Sequence, residues 1–120
     1  MGAKIKIIIG FVLLAVLSGF NSKETIRQDM ITASITYESL GSLNGITNYQ
    51  YEVTLTNNTS SKQTVDYVVY LKSGNVIKKS HRHSTILTPN ETEVSTHEGN
   101  MSDADWELVN GCYVEGEVRE

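Results

Sequence analysis

A single cysteine, Cys112, and a single proline, Pro89, stand in this chain of 120 residues. One thiol cannot form an internal disulfide, so the disulfide-scaffold class of small exported domains is excluded. Cysteine packs as a small apolar residue, and burial is its ordinary place. Positive charge is also short: 10 Lys and Arg face 14 Asp and Glu, for a formal net charge of −4. Displacing counterions from nucleic acid needs a positive field, so general nucleic-acid binding is excluded. No phosphate-binding glycine loop, zinc-finger spacing or Ser–His–Asp set occurs, and no internal repeat is visible. The chain therefore reads as non-catalytic and as needing no cofactor.

Only one long apolar run exists. Residues 7–20 are diluted by Gly10, Ser18 and Gly19 alone, follow Lys4 and Lys6, and give way to polar sequence at Asn21. A charged start, an apolar stretch and small residues at its end form the layout of a signal peptide. A permanent anchor wants about 20 apolar residues, and this run is shorter. Val16 and Ser18 suit the positions before a cleavage site, so cleavage is expected after Ser18. The competing reading is an uncleaved anchor, oriented by Lys4 and Lys6, which would confine membrane contact to this segment. Leu17-Ser18-Gly19 resembles a bacterial lipobox, yet Phe20 stands where the lipid-accepting cysteine belongs. The expected organisation is a signal peptide (or anchor) over 1–20, a flexible lead-in over 21–29 and one folded domain over 30–120. The expected location is periplasmic or extracellular.

After residue 29 the dominant period is two. Ile31, Ala33, Ile35 and Tyr37 alternate with Thr32, Ser34 and Thr36; Tyr49, Tyr51, Val53 and Leu55 alternate with Gln50, Glu52, Thr54 and Thr56. Such alternation separates a core face from a solvent face along a strand. Gly41 to Asn48 reads as a first loop and Asn57 to Ser61 as a second. Ser73-Gly74-Asn75 marks a tight turn that makes 64–72 and 76–87 a hairpin. Pro89 lies in a turn, and a short strand is expected over 93–96. Ser102 followed by Asp105 resembles a capping box, which sets a helical turn over 103–109 crossing between sheets. Cys112, Val114 and Val118 then share the inner face of a last strand. About seven short strands in roughly 100 residues predict an all-β fold, an immunoglobulin-like antiparallel β-sandwich.

The run Tyr67-Val68-Val69-Tyr70-Leu71-Lys72-Ser73-Gly74-Asn75-Val76 resembles the signature of the FxLYD family of small exported bacterial domains. Val53-Thr54-Leu55-Thr56-Asn57-Asn58 before it and Leu87-Thr88-Pro89-Asn90-Glu91 after it resemble that family's flanking strand and turn. The likeness covers residues 49–94. It departs where Leu71 replaces Asp, Tyr67 replaces Phe and Asn90 replaces the turn glycine. The same stretch is more loosely similar to periplasmic chaperones of curli-type amyloid subunits. Both resemblances imply an immunoglobulin-like sandwich outside the cytoplasm, and neither implies catalytic residues.

The binding surface is expected on the tyrosine-rich central sheet or on an edge strand, with Tyr70, Val68 and Lys72 the candidate contacts to a protein or another envelope macromolecule. Tyrosine offers large contact area at low entropic cost. Role alternatives are a chaperone of curli-type fibre assembly and a copper- or zinc-binding envelope protein. The latter would use His81 and His83, about 7 Å apart on one side of a strand, with His97 as a third ligand. The competing reading of these histidines is a solvent-facing basic edge. Residues 72–83 hold Lys72, Lys78, Lys79 and Arg82 without an acid, whereas nine acids in 91–120 face Arg119 alone. Asp103, Asp105 and Glu107 lack the glycine and bidentate glutamate of a calcium loop. Asn57, Asn58, Asn90 and Asn100 each begin an N-x-[ST] sequon.

Overall fold

The computed structural model describes the backbone of residues 10–14 and the whole of residues 30–119. The expected cleavage point after Ser18, the remainder of segment 1–20 and the lead-in 21–29 lie outside the described residues. The elements run β1 (Gly10–Leu14), β2 (Ile31–Leu43), β3 (Ile46–Asn57), β4 (Gln63–Ser73), β5 (Val76–Leu87), β6 (Thr92–Ser102), α1 (Asp103–Leu108) and β7 (Gly111–Arg119). One sheet has the order β1-β2-β3-β6 and the other β5-β4-β7, with every pairing antiparallel.

The two sheets share one core, because period-two alternation gives β2, β3, β4 and β7 one apolar face each. Ile31, Ile35 and Tyr37 of β2 and Tyr49, Tyr51, Val53 and Leu55 of β3 meet Val65, Tyr67, Val69 and Leu71 of β4 and Cys112 and Val114 of β7. All are buried. Gly116, opposite Tyr67 in the ladder, keeps β7 close: a Cβ there would lie 2.9 Å from the Tyr67 Cβ and 2.8 Å from the Asp66 carbonyl oxygen.

The helix at 103–108 carries the chain from the first sheet to the second, as the capping pattern predicts. Ser102 Oγ accepts from the Asp105 amide at 3.1 Å. Trp106 plugs that end of the core, stacked on Tyr49 (centroids 5.6 Å apart) and edge-on to Tyr37 (5.7 Å). Asp103 ties the helix to the β2–β3 hairpin. Its amide donates to the Gly45 carbonyl, and Thr47 and Ser42 donate hydroxyl bonds to its carboxylate at 2.6 and 2.8 Å. Those bonds, Thr47 first, hold the carboxyl below its ordinary range.

Three expectations are corrected. The loop expected over 41–48 shrinks to Asn44-Gly45, since Leu43 pairs with Ile46. Both turn residues have positive φ (55° and 82°), which the Asn-Gly pair tolerates in a two-residue hairpin turn. The bulge between Ser39 and Gly41, with φ 133° at Gly41, lets the strand continue past the glycine. The short strand expected over 93–96 extends through Ser102, because 98–102 pair with 46–50 of β3. The loop expected from Asn57 begins one residue later, at Asn58, because Asn57 pairs with Ile31 and ends β3.

Asn57 organises the far end of the domain. Its side chain is fully buried, and its amide nitrogen donates to the carbonyls of Ser61, Leu87 and Thr88 at 2.9, 3.2 and 3.0 Å. Its side-chain oxygen accepts from the Thr59 amide and hydroxyl. One residue thus fastens the β3–β4 loop to the β5–β6 turn, where Asn90 adopts φ 61° in place of a glycine. With its amide so engaged, Asn57 is closed to glycosylation. Asn57→Ala orphans these partners and should cost about 2–3 kcal/mol. Urea unfolding should show a lower midpoint at unchanged slope; an unshifted midpoint contradicts this role.

Candidate functional site

The outward phase of β4 lines up Asp66, Val68, Tyr70 and Lys72 on the outer face of the β5-β4-β7 sheet, while Tyr67, Val69 and Leu71 fill the core. Tyr70 faces Tyr113 directly across the ladder, and Lys72 faces Ile77. The Lys72 ammonium sits 4.8 Å above the Tyr113 ring, within cation–π reach. Tyr70, Lys72, Ile77, Tyr113 and Glu115 surround an open hollow of about 280 Å³. Two large apolar side chains on its rim are exposed, Tyr113 at 45% and Ile77 at 53%. Val68 lies one step along the stripe, between Arg82 and Glu115, in a larger shallow hollow of about 630 Å³. Asp66 closes its far end. Arg119 grips the Asp66 carboxylate at 2.6 and 3.1 Å and Ser84 donates at 2.8 Å, which holds that carboxyl below its usual range and links all three strands.

The sequence placed Tyr70, Val68 and Lys72 outward but did not bring Tyr113 and Ile77 to them. The outward phase of Tyr113 follows from an inward Cys112. Its pairing with Tyr70 needs the β4–β7 register, which no local pattern encodes.

A second cluster closes the side of the sandwich where edge strands β5 and β6 meet. His81 and His83 point inward from β5 rather than to solvent, correcting the basic-edge reading. Each Nε2 shares a hydrogen bond with a tyrosine hydroxyl: His81 with Tyr49 Oη at 2.7 Å and His83 with Tyr51 Oη at 2.8 Å. His97 of β6 stacks on His83 with centroids 4.0 Å apart and lies 5.3 Å from the Tyr51 ring. Tyr49 reaches His81 across Gly99, where a Cβ would lie 2.5 Å from the phenol oxygen. Any side chain at position 99 would displace that ring. The signal for this seam was a glycine in a strand opposite a tyrosine, and it too needed the register.

The three histidines therefore come together, but as stacked and tyrosine-bonded rings. Among the described residues no group of three or more His, Cys, Asp or Glu side chains is placed to hold a metal ion. Comparison with protein-family models, characterised proteins and solved structures found no match. The site is accordingly read from its own chemistry.

The remaining candidates resolve into structural roles. Asp103 is engaged by Ser42 and Thr47, and Asp105 pairs with Lys78 at 3.3 Å, so the acids of α1 do not converge. The bulge between Leu71 and Lys72 is what turns Lys78 toward the helix. Cys112 is buried, and burial pushes its thiol up to about 12, which makes it a poor nucleophile at neutral pH.

The seam has a pH signature. Burial lowers the proton affinity of His81, aided by Lys79 and then His97; burial followed by His97 and His81 lowers that of His83. The unfolded chain therefore binds protons first as pH falls below about 6.5. The contribution of the neutral rings is complete above that value and is lost as pH falls through the lower folded-state values. Urea midpoints should drop as pH falls below about 6.5, above the range where the Asp66 and Asp103 carboxylates titrate. Replacing His81 and His83 by Gln should flatten that drop; an unchanged slope contradicts the assignment.

Proposed function

We propose that this chain is an exported, non-catalytic immunoglobulin-like sandwich that binds another protein of the bacterial envelope or exterior through the outer face of its β5-β4-β7 sheet. The carrying observation is the exposed rim of Tyr113 and Ile77 gathered around Tyr70 and Lys72. Aromatic residues beside a partly desolvated cation are the composition of binding hot spots, whereas an ordinary solvated sheet face alternates outward to polar residues. The strand order supports the immunoglobulin-like assignment: β2-β3-β6 correspond to strands A-B-E and β5-β4-β7 to C′-C-F. Export rests on the charged start, the apolar run of 7–20 and the small residues ending at Ser18, with processing after Ser18.

Photo-crosslinking in an exporting host tests the reading. A photoreactive residue at position 70 or 113 should yield one common adduct, while the same residue at Thr54, on the outer face of the other sheet, should not. Tyr70→Ala combined with Tyr113→Ala should weaken capture by about a hundredfold, two hot-spot residues at roughly 1–2 kcal/mol each, with little change in thermal midpoint. Equal adducts from positions 54, 70 and 113 contradict the proposal.

A further inference from the structure

The side of the sandwich opposite the tyrosine–histidine seam is closed differently. There β2 and β7 are the edge strands of the folded domain, and β1 lies across the gap between them. Its five residues, Gly10–Leu14, pair without interruption with residues 31–35 of β2, and β1 also packs beside β7. The register sets Leu14, Val12 and Gly10 opposite Ile31, Ala33 and Ile35, the buried positions of β2, and Leu13 and Phe11 opposite Thr32 and Ser34. The strand that closes this side thus comes from the one segment that the proposed processing after Ser18 removes.

We infer that the mature domain carries a strand-acceptor slot along the β2 edge facing β7, and that its occupant is an extended apolar segment of a different polypeptide, added antiparallel to β2. An open edge leaves a row of ladder donors and acceptors unpaired and is a template for another strand. Strand addition draws affinity from those main-chain bonds and specificity from alternate side-chain positions. The register defines the ligand: apolar residues opposite Ile31 and Ala33, and a small one opposite Ile35. A second processed copy is a poor donor. Its leading residues 21–29 hold one aliphatic side chain, Ile26, among polar and charged neighbours, and its other apolar strands are already in the core. The inference goes beyond the outer-face reading and uses different residues.

The test uses the full chain and a full chain carrying Val12→Pro and Leu13→Pro. Neighbouring strand residues point their amides to opposite sides, so one of the two prolines removes a bond to β2 and evicts β1. The probe is a fluorescent peptide of residues 8–16 with flanking lysines and a central photoreactive group. The variant should bind this peptide at least about tenfold more tightly than the full wild-type chain, whose slot is filled. The crosslink should map to β2, and a peptide with proline at its centre should not bind. Adding Tyr70→Ala and Tyr113→Ala should leave peptide binding unchanged, which separates failure of the slot from failure of the outer face. Equal binding to variant and wild type, or crosslinks confined to the outer face of β4 and β7, would overturn the inference. A variant of doubled mass in light scattering would overturn the assignment to a different polypeptide, since a second copy would then fill the slot. Should the variant lose its cooperative thermal transition, the processed protein isolated from an exporting host replaces it in the same titration, with the same outcomes deciding.

Discussion

Narrow sheets have nearly as much edge as middle, and this domain must close four edges with few residues. Leaving β1 aside, β2 and β6 flank one sheet, and β5 and β7 flank the other. Packing the inner faces together supplies the apolar burial, but it does nothing for the sides of the sandwich, where unpaired backbone groups and core side chains meet water. Each side is closed by its own chemistry. Histidines of β5 and β6 interleave with tyrosines of β3 on one side, and the apolar strand β1 lies along β2 and beside β7 on the other. The first closure is intrinsic to the folded domain. The second is borrowed from the N-terminal segment, and this asymmetry is what makes one side a candidate for exchange.

The two ends are fastened as well, by buried or half-buried polar groups with full sets of partners. Asp103 joins α1 to the β2–β3 hairpin, and Asn57 joins two loops at the other end. The outer face of the β5-β4-β7 sheet carries exposed apolar side chains, Tyr113 and Ile77 among them. Such a patch is costly in a free domain unless something covers it.

Much of this was legible from alternation alone. The core faces of β2, β3, β4 and β7, the turn at Gly74, the helical turn after Ser102 and the burial of Cys112 all follow from local period and capping chemistry. What local pattern could not reveal was register. Gly99 opposite Tyr49 and Gly116 opposite Tyr67 look like strand-weakening residues in sequence, yet each accommodates an aromatic neighbour on the partner strand. Ser, Asn and Gly between 41 and 48 read as loop because turn composition and bulge composition are the same residues. The inward aim of His81 and His83 was recoverable from their shared phase with buried Leu87. Their meeting with His97 required knowing that β5 and β6, which belong to different sheets, lie side by side.

The two sides of the sandwich differ: one is sealed by side chains of β3, β5 and β6, the other by β1, which the proposed processing after Ser18 would remove. Residue-resolved amide exchange on precursor and processed protein, near neutral pH, measures this directly. Equal, slow exchange is expected along β3, β4 and the β5–β6 side in both forms, with the amides of residues 31–35 not bonded to β3 exchanging at least about tenfold faster in the processed form. Identical protection of residues 31–35 in the two forms would show that β1 does not seal this side.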